Sequence, residues 1–366
     1  MAASSNDTRQ ALAQQLSEQV QAAAAERTPL SIQGGASKSF YGRRDASNHP
    51  VLTLADYQGV ISFEPTELTV TAAAGTPLVA LEQTLAERNQ QLPFEPPHFG
   101  PDATLGGTIA CGLSGPARPY TGSARDFVLG MKIINGRGEI LNFGGQVMKN
   151  VAGYDVSRLL TGSLGTLGVI LEVSLKVLPR PAQELTLTQS CDEEQAIDRF
   201  NRWAGKPYPI SAAAYYDGTL YLRLAGAASA VTAAQTSIGG DILADGATFW
   251  QALREQELAF FRTGLTAGQG LWRLSIPPAT APLRLPGTTL LDWGGAQRWL
   301  FTELSAEAVF AAAKSLGGQA QLFRGGDRTD TVFQPLPAVV MQLHRNLKQS
   351  FDPHGVLNPG RMYPEF

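Results

Sequence analysis

Runs of glycine and other small residues are the part of this sequence best suited to binding chemistry. The first run follows the apolar residues 30–32 and reads Gly34, Gly35, Ala36, Ser37, Lys38, Ser39. Glycine lets successive backbone N–H groups point into one concavity, and that geometry binds phosphate. The two serines could add hydroxyl donors. The run therefore suits a diphosphate, although a plain strand-to-loop turn has the same composition.

A second run is longer and contains four glycines within the ten positions 106–115. It reads Thr104, Leu105, Gly106, Gly107, Thr108, Ile109, Ala110, Cys111, Gly112, Leu113, Ser114, Gly115. Small and apolar residues interspersed with glycine form a smooth wall that can lie against a large planar ligand. Farther along, Arg125 offers a positive charge for an anionic ligand, and a structural ion pair with Asp126 is its competing role.

A third region consists of two neighbouring runs. They read Lys149, Asn150, Val151, Ala152, Gly153, Tyr154, Asp155 and Gly162, Ser163, Leu164, Gly165, Thr166, Leu167, Gly168, Val169, Ile170. Asp155 suits the cap of a short helix that Gly162 closes. Gly165 and Gly168 stand at the entry to a strand, where the backbone can reach a nucleotide; in isolation these are ordinary cap residues. The sequence has no Gly-x-Gly-x-x-Gly or Walker pattern, which argues against a Rossmann or P-loop site.

The elements that must position these runs begin with a small α/β lobe. Leucine and valine recur every fourth residue over 8–25, which indicates an opening helix. Residues 68–72 have the composition of a strand, and Thr76 is suited to cap the helix that follows. From 104 to 180 the pattern changes to strands punctuated by glycine.

Strands are the main prediction for residues 128–177. Those at 128–134 and 140–143 flank a hairpin connection. The alternation of aliphatic and polar residues over 167–177 predicts the clearest strand of the chain. Pro179 ends that strand and marks a domain boundary.

Residues 181–335 mix helices and strands without a nucleotide-binding signal. Asp192 begins a predicted capping box, and the Asp-Gly pair at 217–218 predicts a two-residue hairpin. The apolar spacing over 250–261 predicts one amphipathic helix. This order of elements indicates an α+β domain with an antiparallel sheet. A last helix then opens the segment 336–366.

Composition limits the possible partners. The formal net charge is −3 and the pI about 5.9, so no basic surface for nucleic acid or an anionic membrane is indicated. Cys111 and Cys191 are the only cysteines, and their spacing fits neither a zinc site nor an iron–sulfur cluster. No secretory signal and no apolar run of ~20 residues is present. We therefore expect a cytoplasmic protein without a bound metal, whose contact with the inner membrane face would come only through partners.

Taken in their order and spacing, these runs resemble the FAD-binding domain of vanillyl-alcohol oxidase (PCMH-type) flavoproteins. Three blocks are similar to the FAD-binding subunits of bacterial glycolate oxidase: those at 149–155, 162–168 and 352–361. The likeness is strong over residues 28–180 and clear over 335–362. Between them it rests on length and on the order of the elements.

The resemblance implies a fold, a cofactor and the residues that bind it. The fold is α+β: a two-lobed PCMH-type FAD-binding domain over 1–180 (lobes about 1–95 and 96–180), an α+β cap domain over 181–335, and a C-terminal segment over 336–366 that returns to the FAD domain. The cofactor is FAD, bound non-covalently. Its ligands would be Gly34, Gly35, Ala36, Ser37, Lys38, Ser39, Thr104, Leu105, Gly106, Gly107, Ala110, Gly112, Ser114, Arg125, Gly162, Gly165, Gly168, Val169, Ile170 and Asn358.

Covalent attachment at the first run is excluded by its residues. Many relatives tether FAD through a histidine or cysteine just after the first glycines, where this chain has Ala36 and Ser37. Cys111 is better suited to an ordinary buried thiol than to a tether.

No catalytic residue is assigned from the sequence. Larger hydroxy-acid-oxidising relatives carry a histidine-rich segment that acts on the substrate, and the comparable residues 323–328 contain no histidine. Arg324 could bind a carboxylate, although no base stands beside it. His98 is the best titratable candidate, and packing within its loop is its competing role.

Three functions remain open. The first is the FAD-binding subunit of a glycolate oxidase (D-2-hydroxy-acid dehydrogenase) complex, which oxidises glycolate to glyoxylate. This chain would then work beside a second FAD-containing catalytic subunit and pass electrons to an iron–sulfur subunit, because it has no cluster cysteines of its own. The second is a self-sufficient FAD-dependent hydroxy-acid or sugar-alcohol oxidase. The third is a flavin-free scaffold, against which the entropically costly glycines argue.

Overall fold

The computed structural model describes residues 5–44, 47–145 and 155–366. The Lys-Asn-Val-Ala-Gly-Tyr part of the third region, residues 149–154, lies outside the described residues. Over the three described ranges, no helix has both the length and the apolar character needed to cross a membrane.

A five-stranded antiparallel sheet organises the described residues before 180. The elements of this part are α1 (Ser5–Glu26), β1 (Ser31–Gln33), β2 (Val51–Thr53), β3 (Val60–Glu64), β4 (Thr69–Ala73), α2 (Leu78–Ala86), β5 (Gln90–Gln91), α3 (Leu105–Cys111), α4 (Arg118–Thr121), β6 (Val128–Ile134), β7 (Ile140–Gly144), α5 (Val156–Leu160), β8 (Val169–Lys176) and β9 (Leu178–Pro179). The sheet has the order β3-β4-β8-β6-β7, and β1 pairs with β2 separately and in parallel. The strand predicted most clearly from the sequence is β8, which pairs on both sides.

An eight-stranded antiparallel sheet organises the chain after 180. Its elements, followed by the C-terminal helix, are β10 (Gln183–Ser190), α6 (Glu193–Ala204), β11 (Ile210–Tyr216), β12 (Thr219–Gly226), α7 (Ala228–Ile238), β13 (Asp241–Ile242), α8 (Gly246–Arg254), α9 (Ala259–Thr266), β14 (Leu271–Ser275), β15 (Thr288–Asp292), β16 (Gln297–Phe301), α10 (Ala306–Ser315), β17 (Gln319–Arg324) and α11 (Ala338–Phe351). The strand order is β13-β10-β12-β11-β15-β16-β14-β17. The predicted α+β class with an antiparallel sheet is confirmed.

Three local predictions are wrong. The second glycine-rich run forms the helix α3 instead of a strand, and Thr104 caps it by accepting a hydrogen bond from the Gly107 N–H. Thr76 does not cap α2, because its hydroxyl bonds instead to the backbone of Gly59. The single helix expected over 250–261 is two helices, because Gln256 adopts a left-handed conformation with φ +59°.

The C-terminal segment returns to β1 and is fixed there by a buried ion pair. The Lys348 ammonium lies 2.7 Å from the Asp352 carboxylate and also donates to the carbonyl of Thr166. The same carboxylate accepts hydrogen bonds from two backbone N–H groups of the tail. Beyond the ion pair, the tail runs parallel to the residue before β1, through a bridge between Leu30 and Leu357. The end of the chain is therefore held beside the first glycine-rich run.

Candidate functional site

The glycine-rich runs line one cleft, which encloses about 970 Å³ of atom-free space including its open mouth. It lies where β1, α3, the entry to β8 and the C-terminal tail meet. The predicted cofactor ligands that line it are Gly34, Gly35, Ala36, Ser37, Lys38, Ser39, Thr104, Gly106, Gly107, Ala110, Gly165, Gly168, Ile170 and Asn358.

The other predicted ligands are not among the residues that line the cleft. Leu105 and Val169 are completely buried in the hydrophobic core. Gly112 ends α3 in a left-handed conformation and packs against the backbone of the third region. Ser114 accepts a hydrogen bond from a nearby backbone N–H, and Arg125 is exposed. The remaining residue of this group is Gly162.

The first run presents donors that the described residues leave unused. Among residues 5–44, 47–145 and 155–366, no acceptor takes a hydrogen bond from the five consecutive backbone N–H groups of residues 34–38. Backbone N–H groups are obligatory hydrogen-bonding groups, so five such donors beside a cleft require an acceptor-rich ligand or water. Consecutive N–H groups of this kind form an anion-binding concavity. The first run therefore fits the diphosphate of a dinucleotide.

Two cationic side chains strengthen the preference for an anion. Lys38 is 7% exposed, and its ammonium donates to the carbonyl of His98 at 3.2 Å. Burial lowers the pKa of Lys38. Arg361 donates to the carbonyls of Ser39 and Arg43, and burial lowers its pKa too. Since both cations line the cleft, a bound phosphate group would offset part of their desolvation.

Several glycines are required by packing between the runs. A Cβ on Gly106 would lie 2.6 Å from the Cβ of Ala74. A Cβ on Gly165 would lie 2.7 Å from Nδ2 of Asn358, and φ there is +73°. These close contacts explain why glycine is needed at both positions even without a ligand. The N–H groups of residues 34–38, which have no acceptor within the described ranges, therefore distinguish a binding site from a packed scaffold better than the glycines do.

Asn358 joins two of the runs. Its Oδ1 accepts a hydrogen bond from the Ile32 N–H at 2.7 Å. Its Nδ2 donates to the Leu164 carbonyl, also at 2.7 Å. Ile32 precedes the first run, and Leu164 precedes Gly165. The tail thereby fixes the separation of two walls of the cleft.

Sequence reasoning missed part of the lining. The additional lining residues are Ser31, Ile32, Gln33, Leu54, Ala74, Cys111, Leu164 and Arg361. Most carry no chemical signal of their own. Arg361 had a signal, because it belongs to the family-like ending, but only the folded tail shows that it reaches the cleft. The Cys111 thiol has its pKa raised by burial, which favours the neutral form over the thiolate.

The two weak catalytic candidates are not among the residues that line the cleft. Arg324 stacks over the rings of Phe40 and Phe99, at 3.8 and 4.8 Å from their centroids. Burial lowers the pKa of Arg324 to about 10. His98 has Nε2 3.1 Å from a carboxylate oxygen of Glu82. Arg324 therefore has structural partners, whereas the buried Nε2 of His98 lies near Glu82 without a hydrogen bond of good geometry to any described residue.

Comparison with known proteins identifies a family model and several proteins that are similar in sequence to this chain. A family model described as FAD binding domain matches residues 11–144. The chain is 48% identical over 352 residues to glycolate oxidase subunit GlcE of Escherichia coli (strain K12), which covers 96% of this chain and 97% of that protein. It is 30% identical over 162 residues to glycolate oxidase subunit GlcD of Bacillus subtilis (strain 168), which covers 44% of this chain and 34% of that protein.

A solved structure supports the fold. The chain is similar to a crystal structure of p-cresol methylhydroxylase with substrate bound, with a TM-score of 0.72 and 15% sequence identity. The match covers 97% of this chain and 88% of that one. An identity this low carries information on the fold alone, and it agrees with the expected PCMH-type fold.

Proposed function

This chain belongs to the family of glycolate oxidase subunit GlcE, and on that premise we propose that it holds FAD in the cleft described above. In this proposal it works in a complex that oxidises glycolate to glyoxylate. The observation that carries the proposal is the set of five backbone N–H groups of residues 34–38, for which the described residues offer no acceptor, beside the cationic side chains of Lys38 and Arg361. FAD supplies a two-electron acceptor for oxidation of a CH–OH group.

Different residues of the chain would bind different parts of FAD. The N–H groups of residues 34–38 would hold the diphosphate, with the hydroxyls of Ser37 and Ser39 as further donors. The apolar and small residues of α3 would lie against the flat ring system. Gly165 and Gly168 would allow close approach on the opposite side, and Asn358 would keep the two sides apart at a fixed distance.

The proposal assigns three parts to the chain. Residues 1–180 would form the FAD-binding domain, 181–335 the cap domain, and 336–366 the segment that returns to the first. The two separate sheets support this division, since strands of one do not pair with strands of the other in the described residues.

Electrons would leave through an iron–sulfur subunit, and a second FAD-containing subunit would carry the main catalytic residues. Among the described residues, no group of three or more His, Cys, Asp or Glu side chains could hold a metal ion. The complex would be cytoplasmic and reach the inner membrane face only through its partners.

Flavin content tests the first part of the proposal. We expect the purified, desalted chain to carry about one FAD, or to regain it after removal and reconstitution, as measured by visible absorbance. Gly107→Trp should abolish FAD binding, because Gly107 lines the cleft and an indole side chain there would occupy the space of the cofactor. The added Cβ would approach one group of the protein, the Thr104 hydroxyl, at 3.2 Å. Gly205→Trp is the control, since Gly205 is exposed and is not among the residues that line the cleft. Equal flavin in both variants would contradict the site.

Co-purification tests the second part. A native extract should yield the chain together with an iron–sulfur protein and a second flavoprotein, identified by mass spectrometry. Turnover of glycolate with an artificial acceptor by the isolated chain would instead support a self-sufficient oxidase.

A further inference from the structure

A single peptide unit joins the cofactor cleft to the second half of the molecule. It is the unit between His98 and Phe99, in the loop that connects β5 to α3. Its carbonyl oxygen accepts a hydrogen bond from the Lys38 ammonium at 3.2 Å. Its N–H group donates to the Glu255 carboxylate at 2.8 Å. One peptide group therefore bridges a cation that lines the cleft and an anion at the end of α8.

The Glu255 carboxylate is held firmly in this position. Its side chain is 11% exposed, and the Arg254 guanidinium lies 2.8 Å from one of its oxygens. The Glu255 charge also opposes the lowering of the Arg324 pKa by burial. The other oxygen accepts from the His98 N–H at 3.0 Å, in addition to the N–H of Phe99. Phe99 adopts φ +52°, a conformation that an aromatic residue keeps only where its surroundings hold it. The carboxylate therefore fixes the loop in an orientation that the loop alone would not favour.

Lys38 depends on this bridge for its counter-charge. Within the described ranges it forms no direct ion pair, and its other hydrogen bond is a long one, 3.4 Å, to the Ser37 hydroxyl. Burial lowers the pKa of Lys38, and negative charge at Cys111 or Glu255 would oppose that change. The Cys111 thiol is neutral, because burial raises its pKa. Glu255 is therefore the anion that supports the Lys38 charge.

We propose that Glu255 is a positioning residue of the cofactor cleft: through the peptide unit between His98 and Phe99, it holds the Lys38 ammonium at the cleft wall. Glu255 is not among the residues that line the cleft, so it acts on a bound cofactor by way of Lys38. Hydrogen bonds in line polarise the peptide between them, so loss of either partner weakens the other bond. The effect on FAD rests on the proposed function, whereas the link between Glu255 and Lys38 does not.

A double-mutant cycle on FAD affinity tests the route of this effect. Lys38→Met should weaken FAD binding at least about tenfold, because a charged donor is lost. Glu255→Gln should weaken it about three- to tenfold. In the double variant Glu255→Gln should add less than about twofold, since its target is already gone. Glu257→Gln is the control, because Glu257 is exposed. Losses that multiply in the double variant, or equal FAD affinity of Glu255→Gln and Glu257→Gln, would overturn the inference.

The protonation of Lys38 tests the link without the cofactor. In the FAD-free full chain, acylation by a trace of acetic anhydride at a series of pH values, read by mass spectrometry, gives the pH midpoint at which each lysine loses its proton. Glu255→Gln removes the anion that favours the charged form, so the Lys38 midpoint should fall, whereas Glu257→Gln should leave it unchanged. Loosening of the structure alone would expose Lys38 and raise the midpoint. An unchanged or higher midpoint would therefore contradict the proposal.

Amide hydrogen exchange gives a further measurement if Glu255→Gln does not fold. In Lys38→Met the Phe99 amide should exchange several-fold faster than in the unmodified chain, because the peptide has lost the cation on its carbonyl side. Unchanged exchange would refute the link. A chain that binds FAD but shows no link between the two residues refutes this inference alone. A chain whose Lys38 midpoint falls as expected but that binds no FAD refutes the proposed function alone.

Discussion

Substitution of Asn358 by alanine tests how much the contact between two of the glycine-rich runs contributes to stability and to cofactor binding. Comparison with a second asparagine of positive φ then separates the cost of the strained backbone from the cost of the lost contact. Asn358 adopts φ +43°, a left-handed conformation that asparagine tolerates better than alanine. In Asn358→Ala the backbone term costs about 1 kcal/mol. The two lost hydrogen bonds cost about 1 kcal/mol each. We therefore expect the free energy of unfolding to fall by about 3 kcal/mol.

Cofactor affinity should fall in the same variant. Without the amide, the Ile32 N–H and the Leu164 carbonyl lose their shared partner, and the two walls of the cleft are no longer held at one distance. If binding must restore that distance at a cost of about 1–2 kcal/mol, FAD should bind about 5–30-fold more weakly. The dissociation constant is measured by quenching of flavin fluorescence on binding to the apoprotein.

Asn89→Ala is the matched control. Asn89 also has a positive φ, +53°, but it is exposed and is not among the cleft residues. Its substitution should cost about 1 kcal/mol in urea denaturation and leave FAD affinity unchanged. If Asn358→Ala and Asn89→Ala bind FAD equally well, the contact through Asn358 does not position the cleft.

Three further predictions concern stability. Lys348→Met should lower the free energy of unfolding by about 3–5 kcal/mol in urea, because it leaves the Asp352 carboxylate buried without its partner; a loss below about 1 kcal/mol would contradict this. Burial raises the pKa of Asp292 to about 7, so the native state retains a proton that the unfolded state releases, and stability should fall as pH rises from about 4 to 7. Asp292→Asn should flatten that slope in denaturation series across this range, and an unchanged slope would refute the assignment. Gly165→Ala should lower the free energy of unfolding by about 2 kcal/mol, from backbone strain and from the close contact with Asn358. Gly317→Ala has the same φ of +73° with open space around it, and it should cost about 1 kcal/mol from strain alone. Equal losses in the two variants would show that the contact at Gly165 contributes nothing.

Local signals in the sequence predicted local structure well. The capping box at Asp192 and the hairpin at Asp217 are confirmed, because each depends on residues a few positions apart. The break between α8 and α9 at Gln256 was not predictable in this way, because it lies beside a contact between distant parts of the chain. There the Glu255 carboxylate accepts hydrogen bonds from the backbone N–H groups of His98 and Phe99, more than 150 residues earlier.

The candidate site likewise combines features that the local sequence predicts with features that only the folded chain shows. The anion-binding character of residues 34–38 is a property of a short glycine-rich loop, so composition alone indicated it. The arrival of Arg361 at the cleft depends on the path of the whole chain.

The return of the tail to β1 has a consequence for biosynthesis. Ile32 and Asn358 are 326 positions apart, yet they share a hydrogen bond at the wall of the cleft. Translation therefore produces the glycine-rich loop long before the amide that fixes its position. A nascent polypeptide that has not yet reached Asn358 has an incomplete cleft, so we expect tight cofactor binding only after residues 33–358 have been made.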